Sequence, residues 1–470
     1  MNIGSFFRKN ILLIIIFLIL FPVENSFSQT DQQKRDEYNK TADLIVKRAL
    51  EDEKGYKLLA ELCKIGPRLN GSKGYEKALI WAKGIMEKME LTDIKLQPVM
   101  VPHWERGNTE IAEITVSSRF KGKFLSIAAL GGSIGTPAEG ITGEVIEVKS
   151  FEELREVGSK AVGKIIFFNR PVNKGLINTF SGYGGAVDQR IQGAVEAAKA
   201  GGIASVVRSV TTKHDNVPHL GMMRYQDGIR KIPSVSIGLV DADFLSEALK
   251  DDPALKLSVK LSCENHPDVE SYNLMGDLKG YEKPDEIIVV GGHFDAWDKG
   301  DGAHDDGGGC IQALEIIDLF QRLGIKPKRT IRCVFFVNEE QGGSGSVAYG
   351  EYARNSKEIH YAAVESDRGV FTPRGFVVES QPDVLIKIQS WLPVLKKAHI
   401  EWVLRGGSGP DINKIRNAKA LAGFVPDDER YFDLHHSAND LYSEVHPREM
   451  ELGAAAMAVL VFLISEEGLE

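Results

Sequence analysis

The C-terminal part of the chain alternates uninterrupted apolar segments with amphipathic helical segments, and this pattern constrains the fold most. Glu286–Val290, Thr330–Val337 and Tyr361–Val364 are apolar enough to predict buried strands. Apolar residues at helical spacing over Gly309–Leu323 and Pro447–Ser465 predict helices between and after them. Strands buried on both faces are typical of parallel pairing through crossover helices. We therefore expect an α/β fold with a mixed, largely parallel sheet and helices on both faces.

Side chains that bind hard metal ions follow these predicted strands or lie in Gly-rich turns. The candidates are His293, Asp305, Glu339, Glu340, Asp367 and His436. In an α/β sheet such residues meet at the carboxyl ends of the strands. Five ligands are enough for two metal ions that share one carboxylate, and one Glu remains to move a proton, which predicts a hydrolase. Each residue alone has a plainer interpretation: Asp305 could cap a helix, the Glu pair could be surface charge, and His436 could be structural.

Length and composition narrow the alternatives. The 470 residues exceed one ordinary core, which favours two domains. A net charge of −9 without blocks of Lys or Arg argues against nucleic acid and anionic membranes as main partners. The four cysteines lack C-x-x-C spacing, which excludes a Cys-ligated zinc site. Cys310 lies in a predicted helix and Cys333 in a predicted strand, so we expect packing roles, not a disulfide.

The first 28 residues have the features of an export signal. Arg8 and Lys9 precede the apolar run Ile11–Phe21, and Ser26 and Ser28 are small residues suited to cleavage. The run is shorter than the roughly 20 residues that span a bilayer. We expect an exported protein, periplasmic or secreted, with no membrane contact after cleavage. An uncleaved anchor is the alternative.

Residues 125–266 differ in character from the rest and predict an inserted domain. Short β-rich runs surround one helical segment, Gln189–Ala200, and residues 173–186 are rich in Gly, Asn and Ser, which predicts a mobile loop. The predicted organisation is a signal at 1–28, the first part of the main domain at 29–124, the β-rich insert at 125–266, and the rest of the main domain with the metal site at 267–470.

Taken together, these motifs resemble peptidase family M28, the co-catalytic zinc peptidases, and within it the carboxypeptidase Q group. The resemblance covers nearly the whole chain after residue 28. The matching stretches are Ile65–Ser72, Gly292–Asp298, Gly302–Gly309, Asn338–Gly343, Glu365–Asp367 and His435–Ser437. Gly163–Phe168 and Ile232–Ser236 in the insert resemble a protease-associated domain. One departure is Asp440-Leu441, where many relatives have Asp-Thr.

The resemblance implies a role for each candidate residue and two Zn²⁺ per chain. One zinc would be held by His293 and Asp367, the other by Glu340 and His436, with Asp305 as the bridge. Glu339 would be general base and acid on a water between the metals. Asp295 would support it as a second carboxylate, and its position two residues after His293 suits the ring's second nitrogen. The peptide bond between Asp305 and Asp306 is often cis in this family.

The implied activity is hydrolysis of dipeptides or short peptides that have a free N-terminus. An aminopeptidase acting on longer peptides is the near alternative. A single-zinc glutaminyl cyclase and a non-catalytic, receptor-like binding protein are two further alternatives. The loop that starts at Arg405 could hold a substrate carboxylate, or could be a turn. The insert could act as a lid, as the surface of a homodimer or as a spacer.

Overall fold

The computed structural model describes residues 29–470, so the predicted export signal lies outside the described residues. Every helix within 29–470 is too short or too polar to cross a bilayer. The strands are β1 (Thr92–Glu105), β2 (Glu110–Val116), β3 (Phe124–Leu125), β4 (Ile127–Ala129), β5 (Ile141–Val148), β6 (Ile165–Phe168), β7 (Ala204–Arg208), β8 (Ser234–Ile237), β9 (Lys256–Leu261), β10 (Glu264–Leu278), β11 (Lys283–His293), β12 (Arg329–Phe336), β13 (Ile359–Glu365), β14 (Pro373–Ser380), β15 (Trp402–Arg405) and β16 (Ala420–Pro426).

The helices lie between and around these strands in the sequence. They are α1 (Gln29–Asp52), α2 (Lys54–Cys63), α3 (Lys73–Lys88), α4 (Phe151–Val157), α5 (Thr179–Gly184), α6 (Asp188–Lys199), α7 (Leu239–Asp251), α8 (Gly308–Leu323), α9 (Ser344–Asn355), α10 (Pro382–Ser390), α11 (Leu392–Leu395), α12 (Tyr431–Leu434) and α13 (Pro447–Glu467). The α3 helix illustrates why they form. Ser72 caps its N-terminus by accepting a hydrogen bond from the amide of Tyr75, and its apolar stripe is buried.

The first sheet has the order β1-β10-β12-β11-β13-β16-β14-β15. Its central strands β12, β11, β13 and β16 are parallel, whereas β1, β10 and β12 pair antiparallel and β14 is antiparallel to β16. Helices α1, α2, α8 and α13 pack on one face, and α9 packs on the other. The mixed α/β architecture is therefore confirmed, and four of the seven strand pairs of this sheet are parallel: the three central pairs and β14 with β15. The sequence did not predict β10, because its first half is charged and contains Pro267.

The second sheet has the order β3-β2-β9-β5-β6-β7-β8-β4. We call residues 110–261 the second-sheet unit and the remaining described residues the first-sheet unit. The predicted boundary at 124/125 is wrong, because β2 pairs with β9 and so belongs to the second sheet. The apolar alternation of β2 suits either sheet equally, and only its pairing partner decides which one it joins.

The segment predicted as a mobile loop, 173–186, contains helix α5. The Phe180 ring stacks on that of Tyr431 at 5.7 Å, and the Tyr183 ring stacks on that of Phe432 at 4.5 Å. The loop prediction is therefore wrong for its second half, because these two aromatic residues anchor a segment whose composition is otherwise typical of a loop. The four cysteines are free and buried.

Candidate metal centre

Three neighbouring parallel strands bring the first set of candidate residues to one edge of the first sheet. Strand β11 lies between β12 and β13 and ends at His293. Strand β12 is followed by Asn338, whose φ of 65° turns the chain so that Glu339 and Glu340 come next. Asp367 follows the end of β13. Because the three strands run in the same direction, these side chains meet where the strands end.

All five predicted ligands come together around Asp305. The Nε2 atom of His293 lies 3.2 Å from Asp305 Oδ1 and 3.6 Å from Asp367 Oδ1. On the other side, Nε2 of His436 lies 3.3 Å from Asp305 Oδ2 and 2.8 Å from Glu340 Oε2. Asp305 therefore presents one oxygen to each histidine, in the middle of two groups of ligands.

The donor set fits divalent cations. Buried carboxylate oxygens of Asp305, Asp306 and Glu340 make no hydrogen bond, and such oxygens are costly to bury without a cation or proton. Ligand atoms of His293, Asp305 and Glu340 lie within 4.8 Å of one another. Imidazole and carboxylate groups are the ligands of zinc sites that lack cysteine. The space beside Asp305 is about 10 Å³, close to the volume that one small ion or water occupies.

Two further side chains lie within reach of a metal at this site, and the sequence did not predict them. Asp306 groups with His293 and Asp367, and His435 groups with Asp305 and His436. The adjacency of each to a predicted ligand was the available signal. It could not be used, because which of two neighbouring side chains faces a site depends on the backbone turn. The peptide bond between Asp305 and Asp306 is cis, as the resemblance implies.

Burial and the neighbouring charges shift the pKa values of the carboxyl groups in the metal centre. Burial raises the pKa of Glu339 to about 7, and the charge of Asp367 adds to this effect although His293 opposes it. Burial and the neighbouring Asp305 raise the pKa of Glu340 well above its usual range. Burial alone would raise the pKa of Asp305 too, but hydrogen bonding to His293 and the charge of His436 hold it below its usual range. Carboxyl groups with such different affinities for protons are typical of catalytic sites.

Asp295 supports the site differently from the prediction. The ring of His293 bonds through Nδ1 to the main-chain carbonyl oxygen of Asp295 at 2.9 Å, not to its carboxylate. The carboxylate oxygen Oδ1 instead accepts a hydrogen bond from the amide of Glu339 at 3.1 Å. Asp295 thus holds one ligand through its backbone and fixes the Glu339 turn through its side chain.

Two other side chains position the carboxylates. Asp440 accepts hydrogen bonds from the amides of His304 (2.7 Å) and Asp305 (3.1 Å). Trp297 donates from Nε1 to Glu340 Oε2 at 2.6 Å. Its ring needs a glycine opposite, because a Cβ on Gly131 of the second-sheet unit would lie 1.9 Å from Trp297 Cη2. Trp297 therefore belongs to the site.

The second-sheet unit braces the turn that carries His436. Thr211 donates from Oγ1 to the carbonyl oxygen of Phe432 at 2.6 Å, and the His219 ring bonds through Nδ1 to the carbonyl oxygen of His435 at 2.8 Å. The amide of Leu220 donates to the carbonyl oxygen of His436 at 2.6 Å. Sequence reasoning missed this brace, because nothing in the local pattern of residues 211–220 indicates a partner more than 200 positions away.

Arg405 does not join the metal centre. It lines a separate surface pocket with Glu379, Asp383 and Lys419, and its side chain is exposed. A role of this loop in holding a substrate carboxylate stays a prediction. The same loop reaches the site only further on, where Gly409 packs against the carboxylate of Glu365.

Comparison with known proteins agrees with the geometry. The sequence profile described as Peptidase family M28 matches residues 273–461. Carboxypeptidase Q of Bos taurus is 36% identical over 88% of this chain and 85% of its own length, and that of Homo sapiens is 37% identical with the same coverage.

Solved structures give the same relationship. A peptidase M28 precursor from Shewanella amazonensis superposes with a TM-score of 0.86 at 31% identity, covering 93% of this chain and 98% of that one. BSAP, a zinc aminopeptidase from Bacillus subtilis, has a TM-score of 0.60 at 20% identity and covers 86% and 93%, which shows a shared fold. This chain belongs to peptidase family M28 and is a metallo-exopeptidase.

Proposed function

We propose that the chain is a di-zinc exopeptidase that hydrolyses dipeptides or short peptides with a free N-terminus. The observation that carries the proposal is the position of Asp305, whose two carboxylate oxygens each face a different histidine. A bridging carboxylate in this position suits two cations. His293 and Asp367 would hold one zinc, and Glu340 and His436 the other.

Glu339 is the group we assign to proton transfer. When bound, divalent cations at this site would lower the pKa of a water and polarise the scissile carbonyl. Glu339 takes the proton of the attacking water and delivers it to the leaving amine. Its raised pKa supports this role, because a general base works best when its pKa is near the working pH. Asp295 keeps the Glu339 turn in place through the amide bond already described.

The test is Glu339→Gln, which keeps the size and burial of the side chain but cannot accept the proton. We expect both zincs to remain and kcat to fall by about 10²- to 10⁴-fold, the usual contribution of a positioned acid–base group. Glu351→Gln, at an exposed position of α9, is the matched control and should change neither. Normal peptide hydrolysis by the Glu339 variant would contradict the assignment.

Metal content separates the other classes of function. Two zincs per chain support the peptidase, one would favour the glutaminyl cyclase, and none would favour a binding protein. Rates on a dipeptide library, compared with those on longer peptides, separate a dipeptidase from an aminopeptidase.

We also infer that the second-sheet unit is a protease-associated-like insertion, since the two stretches that resemble such a domain, Gly163–Phe168 and Ile232–Ser236, overlap strands β6 and β8. Peptide substrates are the partners we propose. Export and a homodimer remain predictions, the first because it rests on residues 1–28.

A further inference from the structure

Four side chains that can bind a metal ion share one face of the ribbon that β1 and β10 form. In this antiparallel pair His103 lies opposite His266, and Glu105 lies opposite Glu264. Because side chains alternate between the two faces of a strand, positions two apart lie on the same face. We call these four residues the His–Glu block. None of them belongs to the candidate metal centre.

The residues between them confirm the alternation. Trp104 and Asn265 lie on the opposite face, where Trp104 Nε1 donates to the carbonyl oxygen of Ser133 at 2.9 Å and Asn265 Nδ2 donates to the same oxygen at 3.3 Å. Trp104 is buried, whereas Glu105 and Glu264 are exposed. One face of the ribbon therefore packs on the second-sheet unit, and the His–Glu block lies on the face that solvent reaches.

An irregularity in the strand pairing creates the block. Val101 pairs with Val269, and an unshifted ladder would then place Pro267 opposite His103. The register shifts between Val101 and His103, so that His266 lies there instead. Such bulges redirect side chains, and proline is tolerated in them because it has no amide hydrogen to donate.

The distances within the block fit neighbouring ligands of one ion. The rings of His103 and His266 lie 4.7 Å apart, centre to centre. Glu105 Oε1 lies 3.4 Å from Nε2 of His103, and its Oε2 lies 3.7 Å from Nε2 of His266. Nε2 of His266 is buried and has no hydrogen-bond partner. With zinc–ligand bonds of about 2.0–2.1 Å, two tetrahedral ligands lie roughly 3.3 Å from each other.

The candidate metal centre has spacings of the same size. There Nε2 of His293 lies 3.2 and 3.6 Å from its two carboxylates. An ordinary histidine–carboxylate pair is shorter, as between His214 Nε2 and Asp243 at 2.9 Å. The separations within the His–Glu block exceed the usual hydrogen-bond length and therefore resemble those between metal ligands.

The charges of the block also favour a cation. Glu105 and Glu264 are directly opposite each other, and like charges in that position destabilise a sheet. Within residues 29–470, Glu264 forms no ion pair. A divalent cation between the two strands would remove the repulsion and supply Glu264 with a counter-charge.

The block lies where the chain passes between the two units. Strand β1 ends at Glu105 and leads to β2, and β10 begins at Glu264 soon after β9 ends at Leu261. Because the second-sheet unit is one continuous segment, these are its two connections to the first-sheet unit. An ion bound by both strands would therefore hold the two connections together.

We propose that the His–Glu block is a further zinc site, separate from the candidate metal centre, that fastens this junction. Two imidazoles and two carboxylates are donors that zinc accepts, and four protein ligands complete the closed tetrahedral shell of a structural site. The proposal does not depend on the peptidase function. It adds one zinc per chain to the number that the candidate metal centre binds.

The experiment compares zinc content of the full chain after equilibration with excess zinc and removal of unbound metal. The double variant His103→Gln, His266→Gln should contain one zinc fewer per chain than the unmodified protein. Glu105→Gln alone should weaken binding of that zinc, measured by calorimetry, by at least about 10- to 100-fold, which is already the effect of losing a residue that merely orients a ligand. His214→Gln, a histidine paired with a single carboxylate, is the control and should leave the content unchanged.

Hydrogen exchange tests the role at the junction without an activity assay. Adding zinc to the unmodified protein should slow exchange of the amides in residues 105–110 and 261–264, because bound metal opposes local opening of the two connections. The double variant should show no such slowing. Peptide hydrolysis is recorded in parallel for each variant.

The outcomes separate this proposal from the proposed function. Equal zinc content in the unmodified protein and the double variant would overturn the site. A lower content in the variant without a change in exchange at the junction would overturn the fastening role. If the extra zinc is bound but no peptide is cleaved, the peptidase function fails and this site stands. Should the double variant not fold, Glu105→Gln and Glu264→Gln, both at exposed positions, decide by the same calorimetry.

Discussion

The two sheets contribute to the metal centre in different ways. The first-sheet unit supplies every predicted ligand, from the ends of β11, β12 and β13 and from the turns around Asp305 and His436. The second-sheet unit supplies none of the predicted ligands. It contributes main-chain and side-chain contacts to the backbone that carries His435 and His436. The metal ligands therefore come from the first-sheet unit, and contacts that hold one ligand-bearing turn come from the second-sheet unit. The two sheets have separate cores.

The difference shows how the second-sheet unit contributes to the metal centre. The His436 turn has a φ of 58°, a left-handed conformation that side chains other than glycine adopt at a cost. Hydrogen bonds from residues 211–220 hold both sides of that turn. Ligands on strand ends of the first sheet need no such help, since the sheet itself fixes them. The contacts from residues 211–220 therefore act on the ligand that lies in a loop, His436.

The largest expected effect is on the first-sheet side. Asp305→Ala removes the carboxylate whose two oxygens face His293 and His436, so we expect loss of zinc and a fall in activity beyond the roughly 10⁴-fold of a lost acid–base group. Zinc per chain and peptide hydrolysis measure this. Asp285→Ala, at the exposed beginning of the same strand β11, is the control. Retention of both zincs by Asp305→Ala would show that Asp305 is not the bridging ligand.

An intermediate effect is expected on the second-sheet side. His219→Ala removes the bond to the carbonyl oxygen of His435 and should weaken zinc affinity by about 10- to 100-fold, as loss of a residue that orients a metal ligand does. Competition with a calibrated chelator measures the affinity. His214→Ala, an exposed histidine of the same unit, is the control. Unchanged zinc affinity would mean that the first-sheet unit holds the turn alone.

The smallest effect concerns buried acids remote from the metals. Glu315 on α8 bonds to Arg322, but burial and the charge of Glu451 raise its pKa to about 8. Because the folded state binds this proton more tightly than the unfolded state, stability is greatest below about pH 4.5 with respect to this group and is lost as pH rises towards 8. Glu315→Gln should reduce that loss by on the order of 2 kcal/mol.

Chemical denaturation at pH 5 and pH 8 measures the change in the free energy of unfolding. Glu156→Gln, exposed on the second-sheet unit, should leave the pH dependence unchanged. An equal pH dependence in Glu315→Gln and the unmodified protein would show that this carboxyl is ionised when buried. Glu315 would then resemble Asp243 of the second-sheet unit, which is paired with Arg208.

The sequence predicted best where local pattern and chemistry coincide. Continuous apolar runs ending in His293 and Glu339–Glu340 fixed both the strand and the position of the ligand on it, and the structure places them together. The β2 strand was assigned to the wrong unit because its alternation does not encode its partner. Helix α5 was missed because Phe180 and Tyr183 stabilise it only through Tyr431 and Phe432.

By itself, the sequence determined the kinds of donor atoms, their placement after buried strands and the family resemblance, because burial and metal chemistry depend on residue type and spacing. Tertiary structure alone decided which oxygen of Asp305 faces which histidine, that the Asp295 carboxylate serves Glu339, and that Arg190 and His219 reach the site. These contacts join positions as many as 246 residues apart. Such contacts depend on how the two sheets pack against each other, and no local pattern along the chain records that.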